Sequence, residues 1–276
     1  RSIVGRSIVG RSIVGRPMGG GPMGALDGRV AIVAGAGTGM GRAIAARFAQ
    51  EGARVAVFGR RPEPLAEVVR ALTAAGGTGL AIAGDAGIED DVARLIAETR
   101  GAWGGVDVMV NSAAVRLQSP LAEISAADFA EVLRINLVGA FVLTKMVAGS
   151  MRERGGGSII PIGSALGTAA APFFSPYVAS KGGLHALARA AAVELVQDGI
   201  RVNVVAPGTI DTVISQGVTD FRRNMLEHRI PTGRAGHVDD SRVGVSLPGV
   251  RFCAVCHRGY PGRGRGVDRF MSGSRR

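Results

Sequence analysis

The side chains best suited to chemistry fall in Tyr177-Val-Ala-Ser-Lys181. On a helix, residues four apart share a face, so the Lys181 ammonium would lie beside the Tyr177 phenol and favour its ionised form. A phenol whose pKa is drawn down from about 10 exchanges protons usefully near neutrality. Ser164 comes just beyond a β-branched run, where its hydroxyl can hold a carbonyl oxygen next to that phenol. Singly these features are ordinary, because a Tyr-x-x-x-Lys pair decorates many surface helices and a Ser at a strand end is commonly a cap. Together, at the C-terminal edge of a parallel sheet, they describe an acid–base site.

A second chemistry is written in Ala34-Gly-Ala-Gly-Thr-Gly-Met-Gly41, which follows a β-branched run and opens a helical stretch. Glycines let a backbone turn tightly and approach a pyrophosphate, while a helix N-terminus offers N–H groups and a positive dipole to the anion. The spacing is Gly35-x-x-x-Gly39-x-Gly41, with Met40 at the third position of a G-x-G-x-x-G reading. Any tight turn uses Gly; its place at the opening of the first crossover is what marks a dinucleotide site. Where an acid would bind the ribose 2′-OH of NAD, the chain reads Gly59-Arg60-Arg61. Two guanidiniums match the oxygens of a 2′-phosphate, so NADP(H) is preferred and NAD(H) is the alternative; a solvated surface pair is the plainer reading. Asp85, ending the third strand, can accept from the adenine amino group.

These groups need a scaffold. Short strand candidates at Val30–Ala34, Arg54–Phe58, Leu80–Ala83, Val106–Val110, Ser158–Ile162 and Arg201–Val205 alternate with helical stretches. The helices are expected at Met40–Glu51, Pro64–Ala75, Glu89–Thr99, Ala126–Arg152 and Pro176–Gln197. Six strands joined by five right-handed crossovers wind into an α/β, Rossmann-type doubly wound parallel sheet with helices on both faces. With 46% apolar residues, 4% aromatic and 43 Gly among 276, the core must be aliphatic and much of the architecture must rest on close backbone approach. No uninterrupted apolar run reaches the roughly 18 residues of a spanning helix, so no membrane association is expected.

From about Leu26 to Asp240 the chain resembles the short-chain dehydrogenase/reductases. Gly35, Gly39 and Gly41 match that family's glycine motif, Asn111-Ser-Ala-Ala114 its Asn-Asn-Ala-Gly segment, and Asn136, Ser164, Tyr177 and Lys181 its catalytic tetrad in order and spacing. Pro207-Gly-Thr-Ile-Asp-Thr212 looks like its nicotinamide loop, and Ile230-Pro-Thr-Gly-Arg234 resembles a segment frequent in its ketoacyl reductases. The resemblance implies NAD(P)H-dependent interconversion of a ketone and a secondary alcohol. Ser164 would polarise the carbonyl, Tyr177 would pass the proton, Lys181 would lower the Tyr pKa and bind the nicotinamide ribose, and Asn136 would hold a relay water. With the residue-level reading, the expected cofactor contacts are Gly35, Thr38, Gly39, Met40 and Gly41; Arg60 and Arg61; Asp85 and Ala86; Asn111 and Ala113; Tyr177 and Lys181; and Pro207, Gly208, Ile210 and Thr212. Three departures stand: Ala34 for the usual Thr, Ser112 for the second Asn and Ala114 for the Gly. They remove supporting hydrogen bonds or loop freedom rather than chemistry. Pro172-Phe-Phe-Ser-Pro176 and Val213–Arg229 are expected to line an apolar substrate pocket. A small carbonyl or alcohol substrate, a cytoplasmic location and a homo-oligomer complete the expectation.

The two ends read differently. The net charge of +11 comes from residues 1–24, with four Arg and no acid, and residues 241–276, with eight Arg against one Asp. Residues 25–240 are neutral, so the catalytic unit does not call for nucleic acid. The threefold repeat RSIVG reads as a low-complexity arm ahead of a native start at Met23, with no signal-peptide pattern. In the Arg- and Gly-rich tail, Cys253-Ala-Val-Cys256-His257 matches the spacing of c-type haem attachment. That chemistry goes with export, a zinc site would need more ligands, and two cysteines read as reduced thiols, so no metal or haem is expected. Allowed codons for Pro248–Phe270, read one base later, spell LASDFVRFVTGAILVVDGGLIG, which resembles the family's usual ending. The expectation is therefore a shifted reading frame near codon 241 and a missing last strand. The competing readings are a truncated, inactive nucleotide binder and an RNA- or membrane-binding protein that uses the basic ends; the latter's affinity would collapse with salt.

Overall fold

The computed structural model describes residues 24–210 and 235–237. The first strand, β1 (Val30–Ala34), is buried along its whole length, as expected of a parallel strand covered on both faces. It pairs in parallel with β2 (Arg54–Gly59) on one side and β4 (Val108–Asn111) on the other. With β3 (Thr78–Ala83), β5 (Gly157–Pro161) and β6 (Ile200–Val202) the sheet order is β3-β2-β1-β4-β5-β6. The chain reverses its winding direction between β1 and β4, and that switch point opens a crevice at the strands' C-terminal ends.

Alternate strand residues face opposite layers. Ala31, Val33, Val55 and Val57 pack with Ile44, Ala45 and Phe48 of α1 (Gly39–Gln50) and with Leu65, Val68 and Leu72 of α2 (Pro62–Ala74). Ile32, Ala34, Ala56 and Phe58 pack on the other face with Val92 and Leu95 of α3 (Glu89–Trp103) and the last two helices. Burying each large side chain stabilises the fold by about 1.5–3 kcal/mol, so the two layers hold the sheet rigid beneath the crevice. Local signals agree with this packing. Glu89, Asp90 and Asp91 sit in the first turn of α3, Arg100 in its last, and Gly104 ends it in a left-handed conformation with φ 83°.

The helical stretch expected at Ala126–Arg152 is interrupted. It runs as α4 (Ala126–Leu133), a π-helical turn Arg134–Val138 and α5 (Gly139–Glu153). Ser125 caps its start by accepting the Asp128 N–H. The wide turn lodges one extra residue without breaking the helix and centres Asn136 toward the sheet, an arrangement common at functional sites. Although no unbroken apolar run has spanning length, the joined helix Ala126–Glu153 reaches a mean hydropathy of 1.5 with half of that window buried. The buried half packs into the core, where Val142, Leu143, Val147 and Met151 join the sheet layer, while Val138 and Phe141 are exposed. The last helix, α6 (Ser175–Leu195), carries Pro in its first turn. The sixth strand is shorter than the expected Arg201–Val205; Val205 makes only a bridge to Ile162. Thr212, the segment Val213–Arg229, Ile230–Arg234 and both chain ends lie outside the described residues, as does the expected loss of a final strand.

Candidate active site

The crevice holds a cavity of about 330 Å³, lined by ends of β1, β2 and β4 and by α6. Its floor begins at the glycine turn. Gly35 has φ 74°, and a Cβ there would lie 2.5 Å from the Ala113 nitrogen, so glycine alone lets this turn meet the β4 loop. Gly41 lies beneath, where a Cβ would come 2.2 Å from the Gly35 carbonyl oxygen; it supports the turn and does not line the cavity. Thr38, Gly39 and Met40 do line it, where α1 begins. Thr38 makes no side-chain cap and the first turn of α1 carries no acid, so the turn itself brings no anion to its N–H groups and dipole. That vacancy of charge, at a backbone cradle too tight for a Cβ, fits a dinucleotide pyrophosphate.

Arg60 and Arg61 border the cavity at the end of β2. Asp85 and Ala86 line it at the end of β3. The Asp85 carboxylate is already engaged: it accepts from the Gly87 N–H at 2.8 Å and from Arg134 at 3.1 Å. Burial pushes its pKa up, but the bonds from Arg134 and Gly87 outweigh burial and hold it below the usual carboxylate value. An adenine amino group would share this acceptor rather than find it free.

On the β4 side, Ala113 lines the cavity but Asn111 does not. The Asn111 side chain accepts the Ala113 N–H at 3.1 Å and so shapes the loop from behind the cavity wall. Asn136 is likewise behind the wall, fully buried. Its Oδ1 accepts the Val115 N–H at 2.8 Å, and its Nδ2 donates to the Val115 carbonyl at 2.9 Å and to Ser180 Oγ at 3.0 Å. The amide therefore bonds protein partners at both ends and pins the loop Ser112–Arg116 to α6.

Ser164, Tyr177 and Lys181 meet on one wall, together with Pro207, Gly208 and Ile210 from the segment after β6. Lys181 is buried and donates from Nζ to the Ile162 carbonyl at 2.7 Å. Burial draws its pKa from 10.5 down to about 8. Its Nζ is 5.7 Å from the centre of the Tyr177 ring. Burial raises the Tyr177 pKa, opposed by the Ser164 hydroxyl hydrogen bond and by the Arg116 guanidinium. The ammonium lies over the ring, and the field of Arg116 favours the ionised phenol.

Two residues escape the motif reading. Arg116 lines the cavity above Phe174, its guanidinium carbon 5.4 Å from the ring centre. His185 stands one turn beyond Lys181 on α6, buried, with Nε2 accepting the Ser164 backbone N–H at 3.4 Å. Burial, then Lys181 and Arg189, lower its pKa, so it stays a neutral acceptor that fixes the backbone of Ser164. The four-residue spacing of Tyr177, Lys181 and His185 is the signal that could have found it.

The fold and this crevice together define a Rossmann oxidoreductase. The sequence profile described as short chain dehydrogenase matches residues 29–223. The (2S)-[(R)-hydroxy(phenyl)methyl]succinyl-CoA dehydrogenase subunit BbsD of Thauera aromatica is 35% identical over 78% of this chain and 86% of its own length. Glucose 1-dehydrogenase of Gluconobacter oxydans is 40% identical over 76% of this chain and 80% of its own. For cis-4-hydroxycyclohexanecarboxylate dehydrogenase of Sinomonas cyclohexanicum the figures are 37%, 79% and 88%. Among solved structures, a dehydrogenase/reductase from Sinorhizobium meliloti superposes with a TM-score of 0.76 at 37% identity, covering 80% of this chain and 87% of that one. The chain belongs to the short-chain dehydrogenase family: an oxidoreductase fold of the kind that uses NAD(P) and acts on small molecules.

Proposed function

We propose that the protein interconverts a ketone, 3-oxoacyl compounds included, and a secondary alcohol, with NADP(H) in preference to NAD(H). The observation that carries this reading is the convergence of Ser164, Tyr177 and Lys181 on the same cavity that Arg60, Arg61 and the uncapped start of α1 border. The relatives named above are dehydrogenases of hydroxyl-bearing compounds, which supports the same chemistry. When bound, the cofactor supplies or accepts the hydride.

The chain's own groups handle the proton and the oxygen. Ser164 hydrogen-bonds the carbonyl oxygen and draws electron density from its carbon. Tyr177, kept protonated at neutral pH by burial, gives its proton to the oxygen as the carbonyl becomes an alcohol, and takes it back in the reverse direction. Lys181 carries a readily exchanged proton behind the phenol, while Asn136 and His185 hold the two loops that aim Arg116 and Ser164. Gly39, Met40 and the start of α1 hold the pyrophosphate, and Arg60 and Arg61 the 2′-phosphate. Zero net charge over residues 25–240 supports a small-molecule rather than a nucleic-acid partner. A cytoplasmic location, the absence of a membrane role and a homo-oligomeric state belong to the same proposal.

The test is NADPH and NADH oxidation with a panel of ketones, measured on the full chain and on Tyr177→Phe. Turnover with NADPH that Tyr177→Phe abolishes, while NADPH still binds, is the expected result. Near-normal turnover by Tyr177→Phe would overturn the assignment.

A further inference from the structure

We propose that Arg116 makes this enzyme selective for substrates that carry a carboxylate a few bonds from the reacting carbonyl. The inference rests on the carbonyl–alcohol reading above and adds the substrate class to it. Several arginines elsewhere in the described residues pair with carboxylates: Arg29 and Arg154 with Asp107, Arg134 with Asp85 and Glu131, Arg152 with Asp198. Arg116 has no carboxylate partner among the described residues, and its guanidinium stacks on buried Phe174. It is half-buried in the cavity wall, close enough to Tyr177 that each charge is felt by the other, and burial disfavours its charged form. A partly desolvated cation facing a cavity is costly unless an anion joins it, and the cavity gives an acidic ligand access to it.

The residue is also held ready. Both the N–H and the carbonyl of Val115, its immediate neighbour, are bonded to the Asn136 side chain, and Phe174 supports the guanidinium from one face. A guanidinium seated over an aromatic ring, with no carboxylate on it among the described residues, can offer its fork to a carboxylate through two parallel hydrogen bonds. Little ordering remains to be done on binding, so the interaction should appear almost in full as selectivity. Because Arg116 and Tyr177 line the same cavity closely enough for their charges to act on each other, the carboxylate must be near the reacting carbon rather than at the end of a long chain.

The experiment compares 3-oxobutanoate, 4-oxopentanoate and 5-oxohexanoate with their methyl esters on the full chain with NADPH. It measures kcat/KM on the wild type, and calorimetric binding to NADPH-loaded Tyr177→Phe. At least one acid is expected to exceed its ester by about ten- to a hundredfold in both measurements. Arg116→Met should bring that ratio to within about threefold of one and Arg116→Lys should leave part of it, since a lone ammonium lacks the fork. Ratios near one in every wild-type pair overturn the inference without any variant. So does an Arg116→Met protein that keeps the acid preference, or one whose loss is confined to NADPH binding. If acids bind in preference yet nothing turns over, the carboxylate site stands and the reductase reading falls.

Discussion

Replacing Asn136 by Ala removes three hydrogen bonds from a side chain that is 1% exposed. The Val115 N–H and carbonyl, both partly buried, lose their partner, and each unsatisfied group costs about 1–3 kcal/mol. Ser180 loses less, because its hydroxyl still donates to the Tyr177 carbonyl at 2.8 Å. Water can reach part of the loop, so the lower end applies to each Val115 group and the sum is about 2–4 kcal/mol. For a domain of this size that lowers the melting temperature by roughly 5–15 °C. Urea and thermal unfolding of the full chain measure the loss. Ser180→Ala, which removes only one of the three bonds, should cost about 1 kcal/mol alone and less in the Asn136→Ala background, because the two share that bond. The loop Ser112–Arg116 should loosen as well, so acidic substrates should weaken more than NADPH does. A destabilisation below about 0.5 kcal/mol, the range of an ordinary surface substitution, would refute the claim that Asn136 holds this wall.

Tyr177→Phe should lower kcat by about 10²–10⁴-fold with NADPH affinity changed only a few-fold, as measured by steady-state kinetics and cofactor fluorescence. Arg60→Ala should weaken NADPH by about tenfold or more and leave NADH nearly unchanged, as two titrations would show. Lys181 falls from 10.5 to about 8 on folding, so between those values the unfolded chain binds the extra proton and stability rises with pH. On this group alone the rise approaches about 3 kcal/mol, and Lys181→Met should flatten it in urea melts between pH 8 and 10. Gly163→Ala would put a Cβ 2.3 Å from His185 Nε2 and 2.6 Å from Val204 Cγ1, so a loss of about 1–3 kcal/mol is expected, partly restored by adding His185→Ala. Full additivity in that double variant would show that the ring is not what the methyl meets.

The strands, the glycine turn and the Tyr177–Lys181 pair were legible because each is a local pattern. Buried β-branched runs, a turn that tolerates no Cβ, and two residues on one helical face are set by neighbours within a few positions. The sequence alone therefore determines the Rossmann architecture and brings Arg60, Arg61, Ser164 and Tyr177 to one edge of the sheet. Folding decides what those groups experience there. Whether Lys181 lowers the phenol's pKa depends on where Ile162 draws its ammonium, and the carbonyl of Ile162 lies on a different element. Whether Asn136 meets a ligand depends on Val115, brought beside it from 21 positions away by the crossover between β4 and the π-helical turn. Arg116 carries no motif at all; its seat on Phe174 and its reach to Tyr177 arise only when β4, α6 and the loop before α6 close around one cavity. Electrostatic environment is a sum over distant neighbours and burial, and no short stretch of sequence contains that sum.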